Sequence, residues 1–95
     1  MVIGILTLEF RLHGNDSLKG KRRVALSLKQ KLRNTFNVAV SEIAHQDSHD
    51  TLVLAAVTVS PDAPRVQGLL QKALNKVVAM DAAELVYDDI EIMQA

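Results

Sequence analysis

Ninety-five residues with 48% hydrophobic and 23% charged side chains are enough for one hydrophobic core, so a single domain over residues 1–95 is expected. The absence of cysteine excludes a disulfide framework and a thiolate metal site. No apolar run approaches the ~20 residues that cross a bilayer, and the basic-then-apolar start of a secretory signal is missing, so the expected address is cytoplasmic.

Eleven Lys and Arg balance eleven Asp and Glu, yet the charges segregate along the chain. Residues 18–36 contain Lys19, Lys21, Arg22, Arg23, Lys29, Lys31 and Arg33 with no acid. Residues 81–91 contain Asp81, Glu84, Asp88, Asp89 and Glu91 with no base. A positive pole of this kind either meets a polyanion or is a solvated face.

Residues 2–12 alternate with a period of two. Val2, Gly4, Leu6, Leu8, Phe10 and Leu12 make an apolar face that predicts a half-buried strand. His13-Gly14-Asn15-Asp16 has turn composition, and Ser17 is placed to cap a helix whose first turn already contains the cations. A helix N-terminus carries about half a positive charge, so Lys19, Lys21, Arg22 and Arg23 gain nothing from the helix dipole there. Apolar residues at 18, 25, 28, 32 and 36 predict an amphipathic helix to about Phe36, with the cations forming a ridge beside its apolar stripe. Asn34 and Asn37 stand where a left-handed residue is expected to end it.

Residues 37–45 predict a second strand, with Val38 and Val40 inward and a bulge or frayed edge at Glu42. Gln46 to Asp50 predict a turn that closes a hairpin onto residues 51–60, a run apolar on both faces and therefore central in a sheet. Asp62 is the expected cap, and Pro64 the first-turn residue, of a second helix carrying Val66, Leu69, Leu70, Ala73 and Val77. Residues 85–92 predict a last strand. The order βαββαβ specifies an α+β, ferredoxin-like sandwich, a four-stranded antiparallel sheet with two helices on one face and the first and third strands in the middle. Its other face is bare. Ile3, Ile5 and Thr7 beside Leu52, Leu54 and Ala56 are expected to make an apolar patch there, covered by a second copy in a homodimer.

Met1-Val-Ile-Gly-Ile-Leu-Thr-Leu8, Ser17-Leu-Lys-x-Lys-Arg-Arg23, Leu32-Arg-Asn-x-Phe-Asn-Val38 and Glu42-x-x-His-Gln-Asp47 together resemble the small bacterial proteins of the domain-of-unknown-function 503 family, also called YlxP-like. The resemblance implies a ferredoxin-like fold and a bacterial cytoplasmic protein. Family genes often lie among those for translation initiation and ribosome maturation, which implies a role near RNA or the ribosome; no catalytic residues come with it. Where the family commonly has Glu, completing a capping box with Ser17, this chain has Gly20.

Other chemistry is weaker in the sequence. His45-x-x-x-His49 with Asp47 and Asp50 offers nitrogen and oxygen ligands, but this spacing suits a metal when both histidines share a helical face, and here it falls in a hairpin. No metal or cofactor is therefore expected. An acylphosphatase-like anion loop would be Gly-rich, and an Asp in residues 13–16 would repel the anion. A small-molecule sensor rests on topology alone. Phe10, Phe36 and Tyr87 are too few for base stacking on the sheet. Phosphate contact by Lys19, Lys21, Arg22, Arg23, Lys29 and Arg33 needs no aromatics. The expected function is non-enzymatic RNA or ribosome association, with docking of an acidic protein partner by a homodimer as the alternative.

Overall fold

Strand β1, Val2–Arg11, realises the period-two pattern by burying Val2, Gly4, Leu6, Leu8 and Phe10. The computed structural model describes Met1 to Ala95. It continues with α1 (Leu18–Thr35), β2 (Ala39–Ala44), β3 (Thr51–Ser60), α2 (Ala63–Met80) and β4 (Glu84–Gln94). The sheet order is β2-β3-β1-β4 with every neighbouring pair antiparallel, which is the ferredoxin-like arrangement. Its core joins the even face of β1 to Leu52, Leu54 and Ala56 of β3, Ala25, Leu28 and Leu32 of α1, and Val66, Leu70, Ala73 and Val77 of α2.

That core corrects the expected patch. Directly opposed residues of an antiparallel pair share a face, and the register sets Leu6 opposite Ala56, Leu8 opposite Leu54 and Phe10 opposite Leu52. Leu52, Leu54 and Ala56 therefore lie under the helices, fully buried. The bare face carries Ile3, Ile5 and Thr7 as expected, but beside Val59, Val57 and Ala55.

Local signals are met unevenly. Ser17 caps α1, its hydroxyl accepting from the Gly20 amide at 3.0 Å. Asp62 holds the cap position of α2 without a side-chain bond, and Pro64 falls in the first turn. The bulge in β2 lies between Glu42 and Ala44. No left-handed residue ends α1, because Phe36 is extended (φ −129°); that conformation goes to Asp81 after α2 and to His45 in the hairpin. Gly4 lies under α2, and a Cβ there would collide with Val66 and Leu70. No helix is long and apolar enough to cross a membrane.

Candidate nucleic-acid interface

Helix α1 sorts its cations by direction. Its buried positions are Lys21, Ala25, Leu28 and Leu32. Arg22, Arg33, Lys19 and Arg23 stand exposed and Lys29 half-buried around the neighbouring third of the helix, as a step of about 100° per residue requires. None of these five forms an ion pair. Lys21 does not belong with them. It is 2% exposed, and its Nζ donates to the carbonyls of His45 and Ser48, each at 2.6 Å. The same ammonium lies 2.8 Å from Glu42 Oε2, an oxygen with no other partner. Lys21 therefore ties the β2–β3 loop to α1 and is not available to a phosphate. Its place in the buried stripe is legible from spacing, since it stands four residues before Ala25 and seven before Leu28.

The tie is reinforced from the β1–α1 loop. Asn15 Nδ2 donates to the carbonyls of Ser17 and His49, and His49 Nδ1 lies 2.9 Å from the Asn15 carbonyl. A Cβ at position 20 would meet the Asn15 amide oxygen, so Gly20 leaves the space that Asn15 uses to latch the hairpin. Within that hairpin the Asp50 carboxylate accepts from the Ser48 hydroxyl at 2.8 Å and from Thr51. The Ser48 bond is the main cause that holds its pKa below the usual carboxylate range, helped by Thr51, His49 and Arg11 and opposed by desolvation. His45 is held through its carbonyl and His49 through its ring and carbonyl, and no group of three His, Asp or Glu converges anywhere in the chain.

The charge asymmetry is larger than the α1 ridge alone suggests. Helix α2 adds Arg65, Lys72 and Lys76, so the two helices carry ten of the eleven Lys and Arg and none of the eleven Asp and Glu. Both helices lie on one side of the sheet, which makes that whole layer positive. A groove of about 400 Å³ beside Met80 of α2 is lined by Arg23, Ser27, Gln30, Lys31 and Asn34 of α1, all hydrogen-bond donors. Lys31 was visible in the sequence as a cation, but the groove needs α2 to form its wall.

A second cleft, about 600 Å³, opens between the end of β1 and the α2–β4 connection. At its rim His13 Nε2 lies 2.9 Å from Glu84 Oε1. His13 is exposed and paired.

The model of the family described as Protein of unknown function (DUF503) matches residues 3–90. The chain belongs to this family. Within DUF503 it is similar to the Uncharacterized protein YlxP of Bacillus subtilis, with 32% identity over 73 residues, 77% of this chain and 79% of that one. Among solved structures it is similar to SnoaB, a cofactor-independent oxygenase from Streptomyces nogalater. A mutant of SnoaB aligns with TM-score 0.54 and 14% identity, covering 99% of this chain and 92% of that chain. A second SnoaB structure, at 1.9 resolution, gives 0.52 and 17% with the same coverage. At those identities the likeness is one of fold.

Proposed function

We propose that this DUF503 protein is a non-enzymatic RNA- or ribosome-associated protein that holds phosphates on its helical layer. The observation that carries the reading is the confinement of ten cations and no carboxylate to the two helices. Lys19, Arg22, Arg23, Lys29 and Arg33 supply the ridge, free of intramolecular ion pairs, and the donor-lined groove at Arg23 and Lys31 adds a place for a backbone oxygen. Such binding reads the charge and spacing of the phosphates and not the bases.

The test is salt-dependent affinity for a short single-stranded RNA, together with co-sedimentation with ribosomes at two salt concentrations. Four phosphate contacts give a log–log slope of about −3, so affinity falls roughly 50-fold between 50 and 200 mM salt. Arg22→Ala with Arg23→Ala lowers affinity for unrelated sequences alike and flattens the slope by between about one and two units. Salt-independent affinity, or an unchanged slope in the double variant, overturns the reading. Retention of an acidic protein from RNase-treated lysate in its place favours the partner-docking alternative.

A further inference from the structure

We propose that the bare face of the sheet seats a second copy of this chain. The β1–β3 register fixes which residues stand there: Ile3 opposite Val59, Ile5 opposite Val57, Thr7 opposite Ala55 and Glu9 opposite Val53. Apolar side chains therefore run along β3 from Val53 to Val59 and continue onto β1 at Ile3 and Ile5. Larger ones stand exposed around them, Ile43 on β2 and Tyr87 and Met93 on β4. A continuous apolar surface of this kind marks an interaction site.

Charge selects the occupant. The carboxylates on this face are Glu9 of β1 with Glu84, Asp89 and Glu91 of β4, against the single cation Arg11. RNA and an anionic lipid surface are both repelled by that balance, and one tyrosine is no stacking platform. An apolar protein surface is not repelled, and a copy of the chain fits where its own β4 carboxylates are kept away from these.

Area and symmetry fit a copy. Three strands about 33 Å long and β2 at about 20 Å, spaced about 4.8 Å, present roughly 600 Å² per copy, so two copies bury about 1,200 Å², the low end of a standard interface. A two-fold axis between the sheets and parallel to the strands lays β4 of one copy across β2 of the other. The β4 carboxylates then meet uncharged residues. Glu91 shares a row with Ile5, Val57 and Ala39, and Asp89 shares one with Thr7, Ala55 and Ser41. The perpendicular axis would set β4 on β4, acid near acid, and is disfavoured.

The test is the oligomeric state of the wild-type chain by light scattering up to about 100 µM, where a dimer of micromolar Kd is the main species. The expected mass is twice 10.4 kDa, and Ile5→Lys, with an unchanged circular dichroism spectrum, runs as a monomer. If Ile5→Lys does not fold, Val59→Lys, at a position 55% exposed, takes its place with the same expected outcome. Because the chain has no cysteine, Ser41→Cys mixed with Asp89→Cys joins into a dimer with a short bismaleimide, whereas neither variant does so alone. A monomeric wild type, including one that instead floats with phosphatidylcholine vesicles, overturns the proposal. So does a folded Lys variant that stays dimeric, or a mixture that does not cross-link.

Discussion

Lys21 shows how one residue can be misjudged by its company. It lies among Lys19, Arg22 and Arg23, yet only its helical direction decides its role, and that direction points into the protein, onto two carbonyls and Glu42. Removing one partner of a buried pair leaves the other uncompensated. Lys21→Met is therefore expected to lower stability by about 3 kcal/mol in chemical denaturation, and adding Glu42→Gln to restore part of that loss. Asp50 makes the hairpin sensitive to acid. Its folded-state pKa is depressed by the Ser48 hydroxyl first and by Thr51, His49 and Arg11. A depressed carboxylate contributes stability that is complete above its unfolded pKa and is lost as pH falls through the lower folded value. Thermal melts across acid pH should show this fall in the wild type, and Asp50→Asn should shallow it.

At the scale of elements, the strands and helices were legible because each carries its own period: alternation in β1, the 25-28-32 stripe in α1 and the 66-70-73-77 stripe in α2. β3 was legible as a strand but not as to which way it faces. Its residues are apolar on both sides, so periodicity is silent, and only the pairing of even with even positions of β1 tells that Leu54 is inside and Val57 outside. The α1 ridge was legible for the same reason as the helix itself, whereas the groove at Lys31 depends on where α2 packs, which no local pattern encodes. Helix ends were the least legible. Two asparagines invited a left-handed stop after α1, but the chain leaves there extended and uses Asp81 (φ 49°, ψ 39°) after α2 instead. A side chain in that conformation is strained, so Asp81→Gly is expected to raise stability by about 0.5 kcal/mol, measured as an increased denaturant midpoint at constant slope.

The whole molecule is a two-sided slab, with cations on its helices and the greasier, acid-edged surface on the sheet. A neutral sum of charges hides that division, and a sequence read as a string reveals only half of it, since α2 joins α1 in space and not in order. The packing of both helices on one side also sets the valence of any pair formed through the bare sides. The two positive surfaces would face away from each other, separated by about 40 Å of stacked helix and sheet. Such a pair cannot close around one RNA duplex like pincers. It can act as a strut between two RNA segments, so titration should saturate at two short RNAs per dimer, and excess dimer should bring two differently labelled RNAs into one complex while the Ile5→Lys monomer does not.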